Sequence, residues 1–542
     1  MNEATNAAKY AAMNAAMNAA AEATTRSRLL RVGALRAIEQ AAAKQWAPGT
    51  LMKRAGETAA REAMAMALER PGAVLVLVGP GNNGGDALVA ARVLRERGVD
   101  VRVALLDEVS RFRGDAADAY ARWRQVVGAD ADALITDPAA VIAHATLVID
   151  GLFGIGFSRA PSGKARGWIA LVNGARCPVL ALDVPSGLDA DTGHVADIAI
   201  EADRTITFIA AKPGLYTADG PDHCGEIVIE SLGCGFPLAF DDDGLRDGNV
   251  ESSQTGAINR PALFDTVLKP RRQNSHKGSF GSVLVIGGND GMVGAALLAS
   301  RMALQCGAGR VYVKLLASSA PTFDVVHPEL MLREHLEDVE PTAVAIGPGL
   351  GHDDSALTML DRWIATKSPI VIDADALNAI AAHLALFERL SGRAAQGLPP
   401  AVLTPHPLEA ARLLGTDTAT VQADRIKAAT DLAKRTQSVV VLKGAGSVIA
   451  DTSGAWVINT TGNPGLATGG TGDVLCGLVA GLLAQHLPPL DAARAAAWLH
   501  GTAADDLVAR GIGPIGLSAS ELLPAVRAAL NRVCSRLSFR TQ

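Results

Sequence analysis

The feature that most constrains the fold is a series of short apolar runs, each of which ends in polar or Gly-rich residues. The run AVLVLVG at Ala73–Gly79 is continuously apolar, which is typical of a strand that is buried on both faces of a sheet. A Gly-rich turn and the helical stretch DALVAARVLRERG follow it, and the runs VDVRVALL, TLVID and PVLALD come next. This alternation predicts an α/β domain with a parallel, doubly wound, Rossmann-like sheet.

The second half of the chain restarts the alternation at SVLVIGG, Ser282–Gly288, with different residues at the strand ends. It continues through AVAIGPGLG, PIVIDADALN, AVLTPHPLEAARLLG and SVVVLKGAGSVIA, each of which is expected to be a short strand that leads into a helix. A chain of 542 residues exceeds the size of one hydrophobic core, so two α/β domains are expected. Between about Gly235 and Arg260 the pattern lapses into an acidic stretch rich in Gly, Ser and Asn, which predicts the boundary. We expect domains at residues 26–240 and 255–542, after a low-complexity extension at residues 1–25.

Composition narrows the class of protein. A net charge of -6 gives no general attraction to nucleic acid or to an anionic membrane. The sequence holds no long uncharged apolar run that predicts a membrane span, and the Ala-, Asn- and Met-rich start lacks the basic and apolar regions of a signal peptide. The six scattered cysteines suit a reducing cytoplasm. We therefore expect a cytoplasmic enzyme that acts on small-molecule substrates. The sequence does not decide whether the chain forms a homo-oligomer.

Three strand ends in the first half carry polar, Gly-rich segments. They read GPGNNGGDA at Gly79–Ala87, DGLFGIGFSRAPSG at Asp150–Gly163 and DVPSGLDADTG at Asp183–Gly193. Ligands of open α/β sheets bind outside the carboxyl ends of the strands, and Gly-rich loops with a helix start near Asp86 can hold phosphate. A single Gly-rich loop is as often a simple connection between a strand and a helix as it is part of a site. Three such loops that converge, two of which begin with an Asp, favour a binding site.

These loops, with AKPGLYTADGPDHCGEI at Ala211–Ile227, resemble the NAD(P)H-hydrate epimerases from about Leu30 to Leu232. The resemblance implies that Asn83, Asp150 and Ser186 hold a potassium ion. It also implies that the hydrated nicotinamide nucleotide contacts Asn82, Asn83, Gly84, Gly85, Asp86, Gly154, Ile155, Gly156, Phe157, Ser158, Arg159, Ala160 and Asp183. The family motif reads NNGGDG, whereas this chain has Ala87 at the last position.

The chemistry of that substrate suggests which side chains react. Hydrated NADH carries a hydroxyl on C6, next to the ring nitrogen, so the nitrogen lone pair can expel the hydroxyl and the configuration can scramble. An enzyme for this reaction needs a carboxylate that shuttles a proton and a polar loop that holds the ring. Asp150 and Asp183 are the candidates, and Asp150 is the predicted catalytic residue of the first domain.

The strongest motif of the chain is NPGLATGGTGDVLCGLVAGLLAQ at Asn463–Gln485. Its TGGTGD turn opens an apolar helix, so backbone amides and the helix dipole form an anion pocket beside Asp473. An Asp at a helix start often has a purely structural role. The density of Gly and Thr favours the functional interpretation, with Asp473 as general acid or base.

This motif resembles the ribokinase-like fold, in which the equivalent Asp activates a hydroxyl for phosphoryl transfer. NSHKGSFGSVLVIGG, GPGLG, DADALN, TPHPLEAARLLG and KGAGSVIA together resemble the NAD(P)H-hydrate dehydratases, from about Leu263 to Leu523. The resemblance implies that ADP, with Mg2+, is bound by Lys443, Gly444, Ala445, Gly446, Ser447 and Gly472. It implies that Ala295, Gly351, His406 and Asp473 contact the hydrated cofactor.

Single residues of these motifs carry different weight. A lone His406 is more often structural, but its place at a strand end, in the same rim as Asp473, favours a function. Lys443, followed by GAG, is suited to meet a phosphate as a point charge. Leu408 stands where the family's TPHPGE motif has Gly, and the roles of His276 and Lys277 stay open.

Together the two halves predict the repair of hydrated NADH and NADPH. The first would epimerise the R and S hydrates at C6, and the second would dehydrate the S hydrate, with Asp473 as the acid–base group. We hypothesise that ADP fills the site where a kinase holds ATP and completes the pocket wall without being consumed. The sequence leaves open the preference for NADH or NADPH hydrate and for ADP or ATP.

Two other functions compete with this interpretation. A small-molecule kinase, for example for hydroxyethylthiazole, would carry the same Gly-rich loop and Asp, but it has no evident use for the first domain. A non-catalytic nucleotide sensor or scaffold could lose its carboxylates, whereas Asp86, Asp150, Asp183 and Asp473 are all present.

Overall fold

The computed structural model of the chain describes residues 27–67, 72–128, 130–234 and 254–538. The predicted extension at residues 1–25 and most of the predicted boundary lie outside the described residues. The chain divides into two compact units between Ala257 and Ile258. Residues 255–257, expected in the second domain, thus belong to the first unit, where they pair antiparallel with Arg28–Leu30.

The first unit is built on a seven-stranded sheet in which all neighbouring strands are parallel. In spatial order the strands are Leu134–Ile135, Val101–Leu105, Ala73–Val78, Ala145–Gly151, Val179–Leu182, Arg204–Phe208 and Glu226–Glu230. Val74, Val76 and Val78 point into one apolar cluster, and Leu75 and Leu77 point into another. Both faces of the sheet are therefore covered, which confirms the predicted parallel, doubly wound arrangement.

Helices cover the two faces of this sheet. They are Val32–Gln45, Thr50–Ala67, Asn82–Glu96, Gly114–Val127, Ala139–Ile142, Gly163–Asn173 and Gly220–His223. The helix after the first long strand begins at Asn82, so Asp86 lies inside it, past the predicted helix start. A Cβ added at Gly84 would lie 1.9 Å from the Gly79 carbonyl oxygen, so glycine is required where this helix meets the strand end.

The described residues of the second unit contribute nine strands to one sheet. In spatial order they are Met331–Leu332, Arg310–Leu315, Ser282–Gly287, Ala343–Ile346, Ile370–Ile372, Val402–Leu403, Val439–Leu442, Ser447–Ala450 and Trp456–Asn459. The first seven are parallel to one another, and Ser447–Ala450 is antiparallel to both of its neighbours. The segment SVVVLKGAGSVIA, expected to lead from a strand into a helix, forms a hairpin instead. Gly444 and Gly446 have positive φ of 144° and 59°, which lets the chain turn back at once.

Ten helices are found among the described residues of the second unit. They are Val293–Gln305, Asp354–Ile364, Ala374–Ala382, Leu384–Ser391, Pro407–Leu414, Thr418–Ala423, Arg425–Thr436, Thr471–Ala484, Pro489–Ala509 and Ala519–Ser538. The helix Thr471–Ala484 is almost wholly buried and packs against Val293–Gln305. A Cβ at Gly477 would lie 2.0 Å from the Ala299 carbonyl oxygen, so glycine permits the close helix contact. Within the described residues, none of the helices has the length and apolar character to span a membrane.

Candidate active sites

A cavity of about 670 Å³ opens at the carboxyl ends of the central strands of the first unit. The predicted contacts that line it are Asn82, Asn83, Asp86, Gly154, Ile155, Gly156, Phe157, Arg159 and Asp183. The structure therefore brings the three Gly-rich loops onto one cavity. Gly84, Gly85, Ser158 and Ala160 lie outside its wall, and the Phe153 and Phe157 rings stack with centroids 3.9 Å apart beside it.

Asp150 is fully buried, and its carboxylate faces the protein rather than the cavity. Ser186 donates to it through its backbone N–H at 2.8 Å and through Oγ at 2.7 Å, and the Leu152 N–H donates at 3.2 Å. Burial raises the pKa of Asp150 to about 6, although the Ser186 hydrogen bonds oppose the rise. The Asp150 carboxylate is thus held rigidly and away from a substrate in the cavity.

Oxygen atoms gather around this carboxylate. Asn83 Nδ2 donates to the Phe153 carbonyl oxygen at 2.7 Å, while the buried Asn83 Oδ1 has no hydrogen-bond partner. Ser186 Oγ lies 3.3 Å from the same carbonyl oxygen. A buried amide oxygen without a partner is costly unless something else binds it. Asn83, Asp150 and Ser186, the predicted potassium ligands, therefore lie together and offer the hard oxygen atoms that such a cation takes.

The cavity wall carries a second group of carboxylates, arranged around the buried Lys212. Asp183 Oδ1 accepts from Lys212 Nζ at 2.5 Å, and Asp183 has a positive φ of 65°. Asp86 and Glu39 also line the cavity. Burial first, and the negative charge of Asp183 second, raise the pKa of both side chains, that of Asp86 strongly. This wall therefore offers carboxyl groups that hold a proton more readily than exposed carboxylates do.

Ala87, the departure from the family motif, is compensated across the sheet. Its side chain is fully buried, and a Cβ added at Gly151 would lie 2.4 Å from the Ala87 Cβ. The methyl group of Ala87 thus fills the space that Gly151 leaves open, and the loop keeps its close approach to the strand end.

In the second unit, Asp473 lies in the first turn of the helix Thr471–Ala484, which begins after Gly470 in a left-handed conformation. Gly469 is exposed, and a Cβ added there would meet no atom within 4 Å. Burial and then the charge of Asp373 raise the pKa of Asp473 to about 6, while Lys443 lowers it. Asp473 can therefore hold or release a proton close to neutral pH, beside an open Gly-rich loop.

His406 caps the helix Pro407–Leu414. Its Nδ1 accepts from the Leu408 and Glu409 N–H groups at 3.1 and 3.3 Å, and the Glu409 carboxylate accepts from the His406 N–H at 2.7 Å. Burial first, with help from the Lys443 charge, lowers the pKa of His406. The imidazole is thus a neutral cap whose Nε2 lies 3.3 Å from Glu409 Oε1, while the His406 side chain as a whole is half-exposed and Leu408 beside it is 44% exposed.

Lys443, the predicted phosphate contact, lies beside two carboxylates of the protein. Its Nζ lies 2.8 Å from Asp373 Oδ1 and 4.0 Å from Glu409 Oε2, and both carboxylates are buried. The neighbouring Ser447 Oγ donates to the Gly444 carbonyl oxygen at 3.0 Å, which closes the KGAGS turn.

The remaining predicted contacts cluster at the adjacent strand ends. The Gly351 N–H donates to Asp375 Oδ2 at 3.0 Å, and Ala295 lies 3.4 Å from a Cβ added at Gly349. His276 instead caps a short 3-10 turn, with Nδ1 accepting from the Gly278 N–H at 3.1 Å. This contact gives His276 a structural role, which sequence reasoning had left open.

Four charged residues of these sites were not singled out from the sequence. They are Glu39, Lys212, Asp373 and Glu409. For two of them a signal existed, since Lys212 follows the apolar run TITFIAA and Asp373 follows PIVI, each as the first charge after a buried strand. Glu39 lies in an ordinary amphipathic helix, and its sequence gives no comparable signal.

Two α/β units, each with carboxylates gathered at the carboxyl edge of its own sheet, define a two-site α/β enzyme. A family model described as NAD(P)H-hydrate dehydratase matches residues 283–525, and one described as YjeF-related protein N-terminus matches residues 48–214. A bifunctional NAD(P)H-hydrate repair enzyme of Coxiella burnetii is 39% identical over 491 residues, covering 89% of this chain and 94% of that protein. The chain therefore belongs to the family of bifunctional NAD(P)H-hydrate repair enzymes.

Further similar proteins agree in name. The bifunctional NAD(P)H-hydrate repair enzyme of Escherichia coli is 37% identical over 487 residues, which is 89% of each chain. The crystal structure of an ADP/ATP-dependent NAD(P)H-hydrate dehydratase from Bacillus subtilis, co-crystallised with ATP and Mg2+, is 31% identical. It covers 51% of this chain and 98% of its own, with a TM-score of 0.44.

Proposed function

We propose that this chain converts hydrated NADH and NADPH back to NADH and NADPH. The first unit would epimerise the hydrates at C6, and the second would dehydrate the S hydrate. The observation that carries the proposal is the placement of two independent carboxylate sites. Asp183 lines the cavity of the first unit, and Asp473 starts the buried helix of the second. Residues 26–240 and 255–542 would then hold the two activities.

In the first unit we assign proton transfer to the cavity wall rather than to Asp150. Epimerisation breaks the C6–O bond as a proton reaches the leaving oxygen, and water then adds to the other face and returns the proton. Asp86, whose pKa is strongly raised by burial, can donate that proton. Asp183, fixed by Lys212, can orient the hydroxyl and the incoming water. Asp150 is fully buried and does not line the cavity, so we assign the catalytic role predicted for it to Asp86 and Asp183.

Asp150 instead suits the potassium site. The unpartnered Asn83 Oδ1, the Ser186 hydroxyl and the Asp150 carboxylate are adjacent through the Phe153 carbonyl group. When bound, potassium would supply a positive charge that neutralises the buried carboxylate. The residues themselves order the loop that follows Asp150, because Ser186 Oγ also accepts from the Phe153 N–H at 2.9 Å.

In the second unit Asp473 is the acid–base group of dehydration. The reaction removes a proton from C5, and the C6 hydroxyl leaves as water once it is protonated. A carboxyl group with a pKa raised to about 6 by burial can serve either transfer. Gly351 and His406 lie at the neighbouring strand ends and would contact the hydrated ring.

ADP would be held by the backbone of the KGAGS turn and by the amides around Gly472. The open space at Gly469 and the N-terminus of the helix, which no side chain caps, fit a diphosphate. When bound, ADP would close the pocket without entering the chemistry. No group of three or more His, Cys, Asp or Glu side chains suited to a metal ion is present within the described ranges. We therefore assign no protein ligands to Mg2+ and no step to it.

One experiment tests the function directly. Purified protein is incubated with a mixture of R and S hydrates, with and without ADP, and the absorbance of reduced nicotinamide is followed. We expect full recovery with ADP, and recovery without ADP no faster than the uncatalysed rate. A control with ATP and hydroxyethylthiazole reports kinase activity. Turnover of ATP with that alcohol, combined with no recovery from the hydrates, would overturn the proposal.

A further inference from the structure

Asp373 has an unusual local conformation. It occupies the N-cap position of the helix Ala374–Ala382, yet its side chain makes no capping hydrogen bond. An Asp cap typically stabilises a helix, and this stabilisation is forgone here. The next residue, Ala374, has a positive φ of 51°, which an alanine rarely adopts. Strained backbone at a strand end points to a functional requirement on the position of the Asp373 carboxylate.

The requirement is the contact with Lys443. Asp373 follows the strand Ile370–Ile372 and Lys443 follows Val439–Leu442, with the strand Val402–Leu403 between them. The lysine side chain therefore reaches across a whole strand end to place Nζ 2.8 Å from Asp373 Oδ1. Burial acts to lower the pKa of Lys443, but the nearby carboxylates, Asp373 foremost, raise it, so the side chain is charged.

The pair lies directly against the helix that carries Asp473. A Cβ added at Gly472 would lie 3.4 Å from Lys443 Nζ and 3.9 Å from Asp373 Oδ2. The two opposite charges therefore lie in van der Waals range of the residue that precedes Asp473. The other titratable groups around Asp473 and Lys443 are Asp375, His406, Glu409, Cys476 and His500.

We propose that Asp373 is a positioning residue for dehydration: it holds Lys443 against Gly472, and the two charges together keep Asp473 able to accept and return a proton. The proposal rests on the proposed role of Asp473. Its physical basis is the opposite effect of the two charges. After burial, the Asp373 charge is the largest factor that raises the pKa of Asp473, and the Lys443 charge lowers it. Either charge alone would move Asp473 away from its working range.

The test is the pH dependence of kcat for the S hydrate at saturating ADP. In Asp373→Asn the limb that belongs to Asp473 should move to lower pH, and in Lys443→Met it should move to higher pH. A shift of about half a pH unit or more is expected for a charge this close. We expect kcat to fall at least about tenfold in both. The matched control is Asp417→Asn. Asp417 is an exposed N-cap residue whose carboxylate accepts from the Thr420 N–H of its own helix, so its substitution should leave the pH profile of kcat unchanged.

The double variant Asp373→Asn/Lys443→Met shows whether misfolding accounts for the effects of the single variants. A single change leaves one buried charge unpaired, whereas the double change removes both charges together. In the double variant the limb should return close to its wild-type pH, and kcat should recover with it, because the opposing effects on Asp473 are removed together. Limbs that do not move, or that move in the same direction in both single variants, would overturn the proposal, and so would a double variant whose kcat stays as low as that of the single variants. If Asp473→Asn itself dehydrates normally, the failure lies in the role of Asp473 instead.

Discussion

Ser186 binds both carboxylate oxygens of Asp150, with its backbone N–H at 2.8 Å from Oδ2 and its hydroxyl at 2.7 Å from Oδ1. Two loops from neighbouring strands are joined through this one contact. The same hydroxyl also accepts from the Phe153 N–H, so the loop beside the cavity depends on the buried carboxylate. A buried acid that is held in this way organises a site more readily than it transfers protons.

We predict that Asp150→Ala removes the response of the first unit to potassium. In the wild-type protein, potassium chloride should raise Tm and R-hydrate conversion, because the cation neutralises a buried carboxylate. In the variant both effects should vanish, while dehydration of the S hydrate continues. Thermal unfolding and R-hydrate turnover are measured in potassium chloride and, at equal ionic strength, in choline chloride. Equal responses of the wild-type protein to the two salts would contradict the assignment.

We predict that Asp183→Asn slows conversion of the R hydrate by about 10²–10⁴, the usual loss when an acid–base arrangement is broken. The reason is that Asn cannot hold the charge of Lys212, which then no longer fixes the cavity wall. Dehydration of the pure S hydrate should be unchanged, since that site lies in the other unit. Glu226→Gln serves as the control, because Glu226 is exposed and pairs with Arg204 at the far strand. Near wild-type conversion by Asp183→Asn would show that Asp183 does not orient the hydroxyl and the incoming water.

We predict that Glu409→Gln changes how stability depends on pH. Burial raises the pKa of Glu409 to about 7, with Lys443 opposing the rise. The folded state therefore holds a proton that the unfolded chain releases above its ordinary pKa of about 4.3. The stabilisation by this proton is complete below about 4.3 and is lost as the pH rises through about 7.

Glutamine keeps the shape of Glu409 and an oxygen for the His406 N–H, but it does not titrate. Relative to wild type, the variant should therefore gain up to about 1–3 kcal/mol of stability between about pH 5 and about pH 8. Thermal unfolding of both proteins across that range gives the difference. A difference in stability that is constant with pH would show that Glu409 has an ordinary pKa.

The fold followed from the sequence because its strands are buried on both faces. Runs such as Ala73–Val78 and Ser282–Gly287 are continuously apolar for that reason, and the Gly-containing turn after each run marks the carboxyl edge. The hairpin at Lys443–Ser447 was missed, because two glycines with positive φ reverse the chain where the pattern otherwise predicts a helix.

The site residues followed less completely, because charges meet through tertiary contacts. Asp373 and Lys443 are 70 positions apart, and nothing in either motif states that they pair. The same limit applies to Asp150. Its position after a strand predicts a place at the carboxyl edge, but only the structure shows that Ser186 turns it away from the cavity. Sequence therefore locates an edge, while packing decides which carboxylates reach the substrate.

We predict that Asp473→Asn abolishes dehydration and still allows ADP to bind. The nucleotide would be held by amides of the TGGTG turn and of the KGAGS turn, and neither requires the Asp473 carboxylate. Asn keeps the size of Asp but cannot take up or release a proton, so the rate should fall by about 10²–10⁴. Removing a negative charge beside a diphosphate should leave ADP affinity equal or higher, because the repulsion between the two is lost.

Calorimetric titration with ADP and turnover of the S hydrate separate the possible results for Asp473→Asn. Retained binding with lost turnover is the expected pair of outcomes. Turnover near the wild-type rate would show that Asp473 has only a structural role at the helix start and that the proposed mechanism is wrong. Loss of both binding and turnover would make it an organiser of the Gly-rich loop. His406 would then be the next candidate for proton transfer, because its imidazole is kept neutral by burial and lies half-exposed at the adjacent strand end.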